Sequence, residues 1–320
     1  MTSDAVAKRA GDVRAARLLY PATEQWAYFN TAAVGLASRS VADAYQEFVS
    51  EWMTDGLDFV RGETAAENAR SSVAALMGAD RADTALIPSV SAAAGLVAAQ
   101  FGQASGPENV VIGEQEYSSN HFPWRQLTSK GYEVRQVPFR NGGLEPEALA
   151  RHVDAGTRLV AFSGVQSATG HRSDIAAISA LARGVGAMVF VDASQMLGAM
   201  PVRHELDHVD VMAAADHKFL LHAGRGLGYC YLSPRVRDDF IPINAGWKAG
   251  AVPLESFFAR GWSCRRPRRG STTRSAGWRR WETRPHSRPS TNSARTRSTE
   301  GTPSSRPFSD QPSAMRVGRR

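Results

Sequence analysis

Seven short apolar runs punctuate the chain: ALI at 85–87, NVVIG at 109–113, YEVRQV at 132–137, RLVAF at 158–162, AMVFVD at 187–192, VDVMAA at 209–214 and LGYCYL at 227–232. Each has the length and β-branched content of a strand. The stretches around them carry a helical period instead. Val41, Ala44, Tyr45, Phe48, Val49 and Trp52 fall on one helix face, which predicts an amphipathic helix over 40–54. A second helix is predicted over 63–77, with Gly78 as its stop, and others over 91–101, 119–130, 145–153 and 174–184. Strands alternating with helices predict βαβ units and a mostly parallel sheet of seven strands flanked by helices. In such sheets ligands gather at the carboxyl ends of the strands.

The pattern stops near residue 259. Residues 260–320 hold sixteen Arg, three acids and no Lys, Ile or Leu, a charge of +13. The chain has 38 basic and 31 acidic residues, so residues 1–259 carry 22 and 28, or −6. The overall +7 therefore belongs to the tail. Its Arg, Ser and Pro content cannot bury enough apolar surface to fold, so it is expected to be disordered, and it could touch nucleic acid only electrostatically. The favoured origin for it is a one-base frame shift in a GC-rich gene, with a plain disordered basic tail as the alternative. The expected organisation is an N-terminal arm (1–27), a large α/β domain (28–259) and the tail (260–320), with the small C-terminal domain missing or disrupted.

Composition narrows the class further. Two cysteines, Cys230 and Cys264, argue against a disulfide scaffold. No apolar run reaches the length of a membrane span, and the N-terminus lacks the apolar core of a signal peptide. A cytoplasmic protein without a membrane association is expected. The acidic body makes a nucleic-acid partner an unfavoured alternative, and no metal site is expected.

The segments 187–202 and 209–232 carry the chemistry. One strand ends on Asp192, followed by Ser194 and Gln195; a second leads into Asp216, His217 and Lys218; the Gly-rich turn 224–228 then enters a third. A lysine amine can form a Schiff base with pyridoxal 5'-phosphate, and an acid opposite the pyridine nitrogen keeps that ring an electron sink. Of the four lysines, Lys8, Lys130, Lys218 and Lys248, Lys218 alone follows a strand and precedes a Gly-rich turn. The competing reading makes Asp192 a helix cap and Lys218 a solvated loop residue. Upstream, IPSVSAAAG places Ser89 and Ser91 where a strand turns into a helix, suited either to a phosphate or to a plain cap.

The run VDASQ, DHK, GRGLGYCYL resembles the VDGAQ, GHK, GxGxLY signature of the class V aminotransferases, pyridoxal-phosphate enzymes of fold type I that include cysteine desulfurases, isopenicillin N epimerase and kynureninase-like enzymes. The resemblance implies that Asp192 pairs with the pyridinium nitrogen, Gln195 bonds the phenolic oxygen, His217 contacts the phosphate and Lys218 holds the Schiff base. Ala215 stands where the family often has a phosphate-binding serine. Ser91 and the backbone of Ala92 match the phosphate cup. GEQEYSSNHFPW resembles the E-H-x-x-N-x-x-P-W stretch, with Tyr117 in place of the stacking histidine, Pro123 and Trp124 as scaffold, and His121 given no role beyond polar surface. Gln166, in SGVQSATG, sits at a strand-end stretch that reaches the cofactor ring or simply forms a turn.

YFNTAAVG implies that Asn30, Ala32 and Ala33 line the substrate side. FVRGETAAENAR implies that Arg61 serves a substrate carboxylate, the dimer interface or a surface salt bridge. INAGWKAG (243–250) resembles a segment near the phosphate of the dimer mate. The resemblance runs from about residue 28 to 258 and implies an amino-acid substrate and a homodimer. Transamination, C–S lyase or desulfurase-like β-elimination, and epimerisation all remain open, as does a catalytically impaired relic.

Overall fold

The computed structural model describes residues 13–222 and 224–250. The tail at 260–320, Cys264, the last nine residues of the expected large domain (251–259) and the first twelve of the N-terminal arm lie outside the described residues.

All seven apolar runs are strands: β1 (Thr84–Ile87), β2 (Asn109–Gly113), β3 (Glu133–Val137), β4 (Thr157–Ser163), β5 (Met188–Asp192), β6 (Val211–Ala215) and β7 (Gly228–Leu232). They form one sheet in the order β1-β7-β6-β5-β4-β2-β3. β7 runs antiparallel to both of its neighbours, and the remaining pairs are parallel. The mostly parallel sheet is thus as expected.

Period-2 geometry sorts the central side chains onto two faces. Val111, Val160, Phe162, Val189, Val191 and Met212 enter one core, while Val110, Ile112, Leu159, Ala161, Phe190 and Val211 enter the other. Both faces are covered, which is why these strands read as unbroken apolar runs. Four longer helices accompany the sheet: α1 (Arg39–Thr54), α2 (Phe59–Met77), α3 (Val90–Ala99) and α4 (Ile175–Gly184). Val73 and Met77 of α2 join Ile175, Ile178 and Ala182 of α4 in the first core. Val90, Ala93, Ala94 and Val97 of α3 belong to the second, beside Trp124, whose ring meets Phe190 edge-on at 4.9 Å between centroids.

The helices depart from expectation in instructive ways. α2 starts four residues early because the Asp58 carboxylate accepts the amides of Val60 (2.8 Å) and Arg61 (3.2 Å). Its stop is as predicted: Gly78 closes it at φ +76°. The helix expected over 119–130 is broken into Ser118–Asn120, Phe122–Arg125 and Gln126–Lys130. Pro123 lacks an amide hydrogen and interrupts the ladder. The one expected over 145–153 is the single turn Pro146–Leu149, because the Asp154 side chain draws in Gly156 N at 2.8 Å and turns the chain toward β4. In α1 the helix forms, but none of its residues is buried, and Tyr45, Phe48, Val49 and Trp52 are exposed.

Candidate active site

Strand pairing brings the candidate residues to one end of the sheet. Ser163, the last residue of β4, lies in register with Asp192, the last of β5, and Asp192 with Ala213 of β6. Asp216, His217 and Lys218 follow directly. Asp192 is buried, and its Oδ1 accepts the Ser194 amide at 2.9 Å. Burial pushes its carboxyl above the usual range, and hydrogen bonds from Ser194 and the charge of Lys218 pull the other way. Lys218 is 8% exposed. Its Nζ stands 5.2 Å from the centroid of the Tyr117 ring and, among the described residues, makes no hydrogen bond or ion pair. Burial holds this amine below the ordinary lysine value; Asp192 opposes the shift and Arg225 adds to it. An amine so placed is neutral, and so nucleophilic, more of the time than a surface lysine.

The turn that carries Lys218 is closed on itself. Leu221 adopts φ +61°, its amide reaches Lys218 O at 3.1 Å, and His222 N reaches Asp216 O at 3.3 Å. The same two residues pair through side chains, with His222 Nδ1 3.0 Å from Asp216 Oδ2. Tyr45 Oη of α1 lies 3.3 Å from His222 Nε2. Burial raises the Asp216 carboxyl, and His222 opposes it. Two glycines let neighbouring backbone pack against the turn. A Cβ on Gly35 would stand 2.5 Å from Lys218 O; one on Gly198, at φ +92°, would stand 2.3 Å from Phe219 O. Gly35 N donates to His217 O at 2.7 Å.

Gln195 reaches the same place. Its Nε2 donates to Ala32 O and to Ser167 Oγ, each at 3.0 Å, which draws the segment around Asn30 and Ala33 against the site. Asn30 and Ala33 are exposed there, and Asn30 O accepts the Ala33 and Val34 amides. At the start of α3, Ser89 caps Ala92 N at 3.1 Å and contacts the exposed Ser91 hydroxyl at 2.9 Å. Both Gln166 side-chain ends are engaged: Nε2 donates to Gln115 O of the preceding crossover (3.4 Å) and Oε1 accepts Ala168 N (3.2 Å), a local contact of the kind the turn alternative expects. Arg61 is likewise spent on the α1 carboxylates Glu47 (2.8 Å) and Glu51, the surface salt bridge of the three alternatives. Cys230 is buried in β7, as a core residue, and burial pushes its thiol up to about 12.

Known proteins place this geometry. Residues 27–260 match the family model described as aminotransferase class-V. The chain belongs to that family. An uncharacterized aminotransferase, YcbU, from Bacillus subtilis is 27% identical over 231 residues, covering 72% of this chain and 61% of that protein. A probable cysteine desulfurase from Methanothermobacter thermautotrophicus is 32% identical over 181 residues, 56% of this chain and 45% of that one. Among solved structures, the apo cysteine desulfurase from Thermococcus onnurineus NA1 superposes with a TM-score of 0.59 at 26% identity, over 68% of this chain and 56% of that chain. The chain thus spans about half the length of the curated relatives it matches.

Within this member of the class-V family the residues present fit pyridoxal 5'-phosphate, the cofactor the family implies. The fit rests on polar atoms that make no hydrogen bond. Besides the Lys218 amine, His217 Nδ1 is buried without a hydrogen bond. Burial, Lys218 and Arg225 together lower the His217 pKa. Asp192 and the capped start of α3 supply an acid and a helix N-terminus at the same edge.

Sequence reasoning missed several participants. Glu116 is buried; its Oε1 accepts Ser163 N at 2.9 Å, and its Oε2 accepts the Ser163 hydroxyl and Asn120 Nδ2. Burial pushes this carboxyl up to about 7, against the hydrogen bonds of Ser163 and Asn120 and with the help of Asp192. The available signal was the four-residue spacing of Glu116, Asn120 and Trp124, whose Nε1 bonds Asn120 Oδ1 at 3.1 Å. The Asp216–His222 pair carried no sequence signal beyond its two residue types. His121, expected at the polar surface, is instead buried, with Nε2 3.0 Å from Gln136 Oε1.

Proposed function

We propose that this class-V aminotransferase acts on an amino acid with pyridoxal 5'-phosphate carried covalently on Lys218. The single observation that carries the reading is a buried, unpartnered lysine amine beneath an aromatic ring and within the field of a buried aspartate. When bound, the cofactor withdraws electrons from the substrate Cα and acidifies its proton. The protein's own groups have separable tasks. Asp192 would hold the proton of the ring nitrogen, Gln195 would turn its amide to the ring oxygen, and Tyr117 would cover the ring face. Ser91, the Ala92 amide and His217 would take the phosphate. The Lys218 amine, once released, would remove and return the Cα proton. Asn30 and Ala33 would face the substrate.

Transamination, β-elimination and epimerisation share this apparatus. Cys230 gives no support to persulfide chemistry, because it is buried in β7 with its thiol held protonated. We further propose a cytoplasmic homodimer, a reading supported by the uncovered apolar stripe of α1. Absorbance after addition of pyridoxal 5'-phosphate is the direct test. The wild-type chain should develop a long-wavelength band that survives gel filtration, and Lys218→Ala should not. A folded wild-type chain that takes up none of the cofactor refutes the assignment. A second reading, a relic without turnover, is favoured by the break in composition at residue 260. Turnover with any member of an amino-acid panel would dismiss it.

A further inference from the structure

We infer, on the reading of Lys218 and Asp192 given above, that Ser167 is a further cofactor-binding residue: held by Gln195, its hydroxyl donates to the ring oxygen of the cofactor. The contact given above to Gln195 then runs through Ser167, and Gln195 becomes a positioning residue. The Gln195 side chain is buried, and one atom of it, Nε2, lies 3.0 Å from Ala32 O and 3.0 Å from Ser167 Oγ. A carbonyl such as Ala32 O can only accept, so the atom facing it is the amide nitrogen and not the amide oxygen. That nitrogen carries two hydrogens, and these two bonds use both. Ser167 Oγ therefore accepts from Gln195, which leaves its own hydrogen to be donated elsewhere. Among the described residues that hydroxyl makes no other hydrogen bond.

The surroundings fix where the hydroxyl stands. Ser167 lies in the crossover from β4 to α4, which is anchored at the site: Gly164 N donates to Asp192 O and Ser173 N to Gly164 O, each at 3.0 Å. Within the crossover, Gln166 N donates to His171 O and Gly170 N to Gln166 O, each at 2.8 Å. On the other side, Ala32 belongs to the segment whose Gly35 N donates to His217 O at 2.7 Å, so Gln195 ties Ser167 to the backbone that carries Lys218. The neighbouring Gln166 is buried and bonded to backbone at both side-chain ends, whereas Ser167 is half-buried and open to a ligand. For Gln195 to donate to the ring oxygen itself, one of its two bonds must break, and a buried acceptor or donor left unpaired is costly. For Ser167 to donate, nothing has to break.

The test is equilibrium binding of pyridoxal 5'-phosphate to the full chain, read with the wavelength of the bound band, in wild type, Ser167→Ala, Ser167→Thr, Gln195→Ala and the double variant Ser167→Ala/Gln195→Ala. Ser167→Ala should bind about tenfold more weakly, the size of one hydrogen bond to a charged oxygen, and with a displaced band. Ser167→Thr keeps the hydroxyl and should keep the wild-type affinity and band. The double variant should bind no more weakly than the weaker single variant, because two bonds in series fail together. Wild-type affinity and band in Ser167→Ala, with affinity lost in Gln195→Ala, make Gln195 the donor and overturn the role of Ser167 while leaving the cofactor reading intact. Equal losses in Ser167→Thr and Ser167→Ala assign the effect to the crossover backbone and overturn it as well. So does a change in Ser167→Ala confined to the KM of an amino-acid substrate, which places the hydroxyl on the substrate instead. Absence of cofactor uptake by wild type overturns both readings.

Discussion

Lys218 and Glu116 are both ionisable groups carried into a dry sheet edge, and burial moves each toward its neutral form. The consequence for stability can be signed. The Glu116 carboxyl lies near 4.5 when unfolded and is pushed up to about 7 when folded. The folded state therefore binds its proton more tightly, and the stability this confers is present below pH 4.5 and is lost as pH rises through 7. Glu116→Gln removes that loss. In denaturant titrations the variant should gain on wild type by ~3 kcal/mol between acid and alkaline pH, the value of the full shift. Lys218 has the opposite sense: its lowered value means that folding favours the neutral amine, so Lys218→Met should be most stabilising at low pH and fade as pH rises.

At the scale of elements, the turn after β6 is the functional one. Its seven residues, Asp216 to His222, are closed by backbone and by the Asp216–His222 side-chain contact, and Tyr45 links them to α1. His222→Ala removes the polar side chain that stands 3.0 Å from the buried Asp216 carboxyl, and a buried polar group left without its partner is unfavourable. The double change Asp216→Asn/His222→Ala removes that penalty while leaving the clasp open. Both variants should bind pyridoxal 5'-phosphate more slowly than wild type by stopped-flow absorbance, with the double variant recovering thermal stability but not the rate. The strands make a different prediction. Phe190 is fully buried in the centre of the sheet against Trp124, so Phe190→Ala should cost about 3–5 kcal/mol by chemical denaturation. Asp58→Ala, at the start of α2, should cost about 1 kcal/mol.

For the whole molecule, charge and coverage matter more than any single contact. A chain that is +7 overall but −6 over residues 1–259 owes its basicity to sixty-odd C-terminal residues. Binding to immobilised DNA, if measured at low salt, should vanish on deletion of residues 260–320 and should fall steeply with salt in the full chain. The composition break there also predicts that the gene continues in a shifted reading phase; nucleotide sequencing across codons 255–265 is the check. Among the described residues no helix is long and apolar enough to cross a membrane. If the exposed Phe48 and Trp52 of α1 join two copies, Trp52→Lys should lower the apparent mass in size-exclusion chromatography.

The sequence by itself determined the seven strands, the stop of α2 at Gly78 and the placement of Asp192 and Lys218 at or just beyond strand ends, because each rests on local chemistry: an apolar run, a glycine that tolerates positive φ, an acid and an amine where strands end. Its helical spacing also predicted α1. The folded chain decided what that spacing could not, namely that the apolar stripe of α1 faces outward, since a period reports a face and says nothing of what covers it. Tertiary structure alone turned Arg61 toward Glu47 and Gln166 toward Gln115 O, because those partners lie on other elements of the chain. It also brought Glu116 from beyond β2 to the end of β4 next to Asp192, and closed His222 back onto Asp216. Strand order in a crossover sheet is set by packing on both faces, and it is strand order that makes residues distant in sequence share one buried edge.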